Sequence, residues 1–162
     1  MSASVYPPSL GKIIALFESL PDEEKRENLI NFAEQSVSQA PREGETFTLE
    51  DVRKDEECTD TVGVFLRVDD DTQAAHFRIT LGPQVQTLTK AMTTILCKGL
   101  NGTPVAEVLE VPADFVPKIV GAQLVRARSQ TVYYILTRMK SAAKVWLQRQ
   151  RQLAVELEDA GA

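Results

Sequence analysis

Residues 62–80 constrain this chain more than any other stretch. Val62, Val64, Leu66 and Val68 alternate with Gly63, Phe65 and Arg67. After Asp69-Asp70-Asp71-Thr72, Ala75, Phe77 and Ile79 alternate with His76, Arg78 and Thr80. A period of two sends successive side chains to opposite faces, so each stretch reads as a strand with one buried face. Three aspartates and a threonine between them are turn chemistry. The pair therefore predicts an antiparallel hairpin. Residues 46–52, with Phe47 and Leu49 on one side, read as a further short strand.

On both sides of this hairpin the period becomes helical. Leu10, Ile13, Ile14 and Phe17 form one stripe. Pro21 and the acidic Asp22, Glu23 and Glu24 open a second helix, because proline suits the first turn and carboxylates favour a helix N-terminus. Its expected buried face is Leu29, Phe32, Ala33 and Val37. Residues 40–46 read as a linker. Leu88, Ala91, Met92, Ile95 and Leu96 mark a central amphipathic helix that ends at Gly99-Leu100-Asn101-Gly102. Thr103-Pro104 then reads as an N-cap with proline at the first helical position, ahead of Val105, Val108 and Leu109. Pro112 opens a short helix through Phe115. From about Ser129 a long helix carries Val132, Ile135, Leu136, Met139, Ala142, Ala143 and Trp146 on one face and runs past Leu153. Helices, a small antiparallel sheet and helices again make an α+β fold. The expected organisation is a flexible tail over residues 1–9, one domain over 10–147 and a helical extension over 148–162.

Composition excludes several classes of function. The 162 residues suffice for one core. Lys and Arg number 18 against 23 Asp and Glu, a net charge of −5, and phosphate backbones require a basic field, so nucleic acid is not an expected ligand. No apolar run approaches the roughly 18 residues of a membrane span. Residues 1–8 place no basic residue ahead of an apolar core, so no signal peptide is expected and the expected compartment is the cytoplasm. There a disulfide between Cys58 and Cys97 is not expected. There is no CxxC pair, phosphate loop or glycine-rich dinucleotide turn. Cys58, Asp60, His76 and Cys97 follow no tight ligand spacing, and no metal site is expected.

Cys58 stands apart. It precedes the first hairpin strand and has Asp55, Glu56, Glu57 and Asp60 within three positions. A packing cysteine usually has apolar neighbours, so two readings stay open: a loop thiol placed for chemistry, and a loop cysteine with no role. Nearby negative charge raises a thiol pKa, so this thiol would be a weak unaided nucleophile. It would act best with a partner that supplies positive charge or a base. Cys97, opposite the Leu88/Met92/Ile95 stripe, reads as structural, and His76 as a surface or locally bonded histidine. Asp69, Asp70 and Asp71 read as a solvated turn. Arg128 beside Arg126 reads, on residues alone, as an ion-paired or solvated charge.

Four segments occur in a familiar order: FESLPDEEKRENLINFAEQ, EECTDTVGVFLRV, KAMTTILCKGLNGTPVAEVL and LVRARSQTVYYILTRM. Over residues 10–147 the chain resembles the SufE family of sulfur acceptors in iron–sulfur cluster assembly. The resemblance implies a SufE/NifU-like α+β fold, helices around a small antiparallel sheet. It implies that Cys58 accepts persulfide sulfur from a PLP-dependent cysteine desulfurase (SufS-like), stimulates that enzyme and relays the sulfur to a cluster scaffold (SufB-like). PLP belongs to the partner, so this chain needs no cofactor of its own. Arg128 matches the arginine of the family's Leu-(Ser/Thr)-Pro-x-Arg stretch, with Arg126 in place of the proline, and is implied in partner binding. Leu81-Gly82-Pro83-Gln84 stands where the family commonly has Asp-Ser-Asp-Ala. Two other readings remain: a U-type cluster scaffold, which needs three cysteines where this chain has two, and an interaction module without thiol chemistry.

Overall fold

The computed structural model describes residues 5–54 and 60–161. Two helices come first, α1 (Pro8–Glu18) and α2 (Asp22–Glu34), the second followed by a 3-10 turn (Gln35–Gln39). Strands β1 (Leu49–Lys54), β2 (Thr61–Val68) and β3 (Ala74–Leu81) lead into helix α3 (Thr87–Leu100). A two-residue strand β4 (Thr103–Pro104), helix α4 (Val105–Glu110), a 3-10 turn (Ala113–Phe115), helix α5 (Val116–Val120) and the long α6 (Ala122–Gly161) complete the chain. The sheet is antiparallel with order β1-β2-β3-β4 among the described residues. This is the expected α+β architecture.

The hairpin forms as its alternation dictates. Val64 pairs with Ile79 and Leu66 with Phe77, and all four side chains are buried on one face. At the turn, Asp69 N–H donates to the Ala74 carbonyl and Gln73 adopts a positive φ of 60°. α2 begins at the expected place, with Pro21 as N-cap and three carboxylates in the first turn. Its end differs from expectation. The α-helix stops at Glu34, and the tighter 3-10 turn rotates Val37 away from Leu29 and Ala33, leaving it 80% exposed. Thr103 and Pro104 also differ. They pair with Ala75 and Ala74 as β4, so Pro104 rather than Thr103 is the N-cap of α4. The amide-less proline suits this edge position.

α3 is the centre of the packing. α1, α2, α6 and β3 all lie against it, and its buried residues include Thr89, Thr93 and Cys97 beside the expected apolar stripe. The buried hydroxyl of Thr93 donates to the Thr89 carbonyl at 2.8 Å, which satisfies it within the helix. α6 packs its stripe from Val132 to Trp146 into the same core and continues as an exposed helix to Gly161. No helix among the described residues is long and apolar enough to cross a membrane.

One charge is buried in this interior. Arg138 lies within the α6 stripe, three positions after Ile135 and four before Ala142, and is 1% exposed. It meets Asp51, which shares the core side of β1 with Leu49 because these two pair with Val64 and Leu66. The Arg138 Nε donates to Asp51 Oδ2 at 3.3 Å, and Nη1 to the Tyr134 hydroxyl at 2.6 Å. Nη2 donates to the Asp51 carbonyl at 2.8 Å and the Val62 carbonyl at 2.9 Å. A buried guanidinium is tolerated only when so fully bonded, and removing its counter-charge leaves an uncompensated ion. Asp51→Ala should therefore lower stability by about 3 kcal/mol, read as a lower urea midpoint at an unchanged m-value.

Candidate functional site

Cys58 lies in residues 55–59, outside the described residues. The structure does describe what flanks them. β1 and β2 are paired as far as Lys54, the last residue of β1, and Thr61, the first of β2. Asp60, two positions after Cys58, uses both carboxylate oxygens: Oδ1 accepts from the Thr61 amide at 2.7 Å and Oδ2 from the Gln84 amide at 2.6 Å. The Gly82 amide donates to the Thr61 carbonyl at 2.9 Å. The start of β2 is thus stitched to the connection between β3 and α3. Gly82 is needed there, since a Cβ at this position would overlap the Asp60 carboxylate.

The same connection holds Arg128. Gln86 is the N-cap of α3, and its Oε1 accepts from Arg128 Nη1 at 3.3 Å. Arg128 interrupts α6 with φ −137° and ψ 37°, so the helix kinks at this residue. The kink explains why the regular stripe begins only at about Ser129. Residues 82–86 therefore bring together Asp60 at one end and Arg128 at the other, though these are 68 positions apart. A mostly apolar cavity of about 390 Å3 opens beside this contact, walled by Leu29, Ile30, Leu88 and Leu124, with Arg26 and Arg128 also on its lining.

The other candidates lie elsewhere. His76 is locally bonded, with Nε2 2.9 Å from Asp69 Oδ2 and Nδ1 2.8 Å from Asn101 Oδ1. It lines a separate polar cleft of about 500 Å3 with Arg67, Arg78, Lys98 and the buried Cys97. Burial pushes the Cys97 thiol up to about 12. Among the described residues no three His, Cys, Asp or Glu side chains are grouped as metal ligands. Sequence patterns missed Arg138 because a single arginine does not break an apolar stripe. The available signal was an acid at an inward position of β1 opposite a basic residue at an inward position of α6.

Comparison with known proteins identifies the class. Residues 11–143 match the SufE family, the Fe-S metabolism associated domain. The chain belongs to this family, and its domain is associated with iron–sulfur metabolism. A solution structure of a hypothetical protein from Thermus thermophilus is similar at a TM-score of 0.65 and 24% identity, over 88% of this chain and 98% of that one. The N-terminal NifU-like nitrogen-fixation protein from Brucella abortus is similar at a TM-score of 0.52 and 13% identity, over 72% of this chain and 90% of that one. At these identities the likeness is one of fold. No curated protein matches the chain.

Two outcomes test the site. The Asp60 carboxyl is held below its ordinary value of 3.8, first by the Gln84 amide and then by the Thr61 amide. Its folded-state pKa is depressed, so the bonds it makes are fully present above the ordinary value and are lost as pH falls through the lower folded value. In an acid titration by NMR, the Thr61 and Gln84 amide shifts should move together with a midpoint below 3.8, and Asp60→Asn should abolish that step. Separately, a thiol with a pKa near 12 is only about 1 part in 10,000 thiolate at pH 8. Iodoacetamide at that pH should leave Cys97 unlabelled until the protein is unfolded, as read by peptide mass spectrometry.

Proposed function

We propose that this protein is a cytoplasmic sulfur acceptor and carrier, with Cys58 as the accepting thiol. The Cys58 thiolate attacks the outer sulfur of a desulfurase persulfide. A new S–S bond forms to Cys58, the donor's S–S bond breaks, and the donor leaves as a thiolate. Cys58 then carries the persulfide, with no net oxidation, and passes its outer sulfur to a thiol of a cluster scaffold by the same exchange. The donor is a PLP-dependent cysteine desulfurase, which removal of the sulfur frees for another turnover. The acting unit is residues 10–147, with 148–162 as a helical extension.

Membership of a family tied to iron–sulfur metabolism supports this reading. The single structural observation that carries it is the convergence on residues 82–86. Asp60, which closes the segment holding Cys58, and Arg128 bond to the same short connection. Positive charge near a thiol favours the thiolate, which the acidic neighbours of Cys58 oppose. Arg128, with the apolar cavity beside it, offers a docking point for the desulfurase, and that partner supplies the positive charge or base the thiol needs. The U-type scaffold reading has the fold likeness to the Brucella protein in its favour. Stoichiometric iron or zinc retained on purification would decide for it.

Incubation with cysteine and a cysteine desulfurase of the same cell should yield a species about 32 Da heavier, one sulfur atom. The added mass should map to Cys58 and disappear with dithiothreitol and in Cys58→Ser. Absence of the adduct with every desulfurase of that cell would overturn the proposal.

A further inference from the structure

We infer that the C-terminal part of α6 is a self-association surface: residues 148–161 of one copy pack antiparallel on the same residues of a second copy. The inference is independent of the sulfur-acceptor reading, and its surface lies outside residues 11–143, which match the family.

The apolar stripe of α6 outruns the core that covers it. Successive residues of an α-helix turn by about 100°. On that count Leu153, Leu157 and Ala160 fall on the face that carries Ile135, Met139 and Trp146, with Ala154 at its edge and Gln150 as a polar member. The domain covers this face as far as Trp146, which is buried. Residues 148–161 are exposed throughout, with Leu153 at 50% and Leu157 at 74%. Val155, also exposed, lies on the opposite face. The helix nevertheless stays regular to Gly161. A helix with only solvent to face has no reason to keep an apolar period.

The charges beside the stripe name its occupant. Arg149 and Glu156 flank it on one side, Arg151 and Glu158 on the other. In each pair the cation and the anion are seven positions apart. Opposite charges within one helix meet at three or four positions, whereas seven positions set them about 10 Å apart on the same flank. None of the four is in an ion pair among the described residues. Glu156 accepts only from the Gln152 amide, at 3.3 Å.

A two-fold antiparallel pair centred between Leu153 and Leu157 supplies the missing partners. Arg149 comes level with Glu156 of the second copy and Arg151 with its Glu158, and the symmetry makes each contact twice. Leu153 of each copy then meets Leu157 of the other. Parallel pairing would set arginines level with arginines and glutamates with glutamates. A stretch that is basic in its first half and acidic in its second complements itself when reversed. Arg128 is at the far end of the regular helix, about 36 Å from Leu153 along the axis, so the pairing leaves that docking point clear. The interface is small, and interfaces of this size are weak. A monomer–dimer equilibrium is therefore the expected state.

The test is sedimentation equilibrium of the full-length protein between about 5 and 500 µM, with circular dichroism melting to show that each variant keeps the folded domain. The unaltered protein should rise from the mass of one chain towards that of two. Leu153→Glu with Leu157→Glu should abolish the rise. Arg149→Glu with Arg151→Glu turns every attraction into a repulsion and should raise the dimer Kd about tenfold or more. Glu156→Arg with Glu158→Arg should do the same. All four charge substitutions in one chain should return Kd to within about threefold of the original, and an equimolar mixture of the two charge-reversed variants should associate where neither does alone. A protein that stays monomeric throughout overturns the inference. So does a dimer that survives the leucine substitutions, or one indifferent to charge reversal. A monomer that instead binds a desulfurase only while Leu153 and Leu157 are intact would assign the surface to that enzyme and overturn the inference as well.

Discussion

Every other layer of this molecule is arranged around the burial of α3. A helix covered by α1, α2, α6 and β3 has no face left for solvent along most of its length. Its interior hydroxyls must therefore bond back to its own carbonyls, as Thr93 does to Thr89. Gly99 meets the same constraint by offering no side chain where Leu10 of α1 crosses closely. With α3 fixed, the connection that enters it is fixed as well, and that connection holds both Asp60 and Arg128.

The interior also contains a charge, which sets a second constraint. Burying Arg138 costs its hydration, and the cost is offset only by a complete set of acceptors. Those acceptors come from β1, β2 and α6 itself. The pair therefore specifies how the edge of the sheet sits on the long helix, which apolar packing alone would leave freer to slide. Buried ion pairs contribute little to stability against an apolar replacement. Here the interaction bonds the long helix to both strands at once. The two constraints meet at β1 and β2, one through Asp51 and Val62, the other through Asp60.

Much of the fold was legible because it follows from local periodicity. The hairpin appeared in full, since alternating apolar residues have only one way to face a core. The α6 stripe from Val132 to Trp146 is equally direct. Val37 was misplaced because helical spacing was extended through residues 35–39, where the backbone tightens to a 3-10 turn and the angular count changes. Thr103 and Pro104 carry a helix-cap signature, yet they also pair with β3, a tertiary choice that local chemistry does not announce. Cys58 and Arg128 stood out as residues. The connection that Asp60 and Arg128 share through Gln84 and Gln86 did not, because no pattern along the chain links positions so far apart.

The amino-acid sequence by itself determined the hairpin, the main helices and their order, the α+β class and the family, since these depend on near-neighbour spacing and on the order of motifs. Tertiary structure decided the rest. It paired Arg138 with Asp51, buried Cys97, turned His76 to Asp69 and Asn101, kinked α6 at Arg128 and gathered Asp60 and Arg128 on one connection. The reason is physical. Periodicity states which side of an element avoids water, whereas a buried polar group finds its partner among elements distant in sequence. Only the folded arrangement states which partners are within reach.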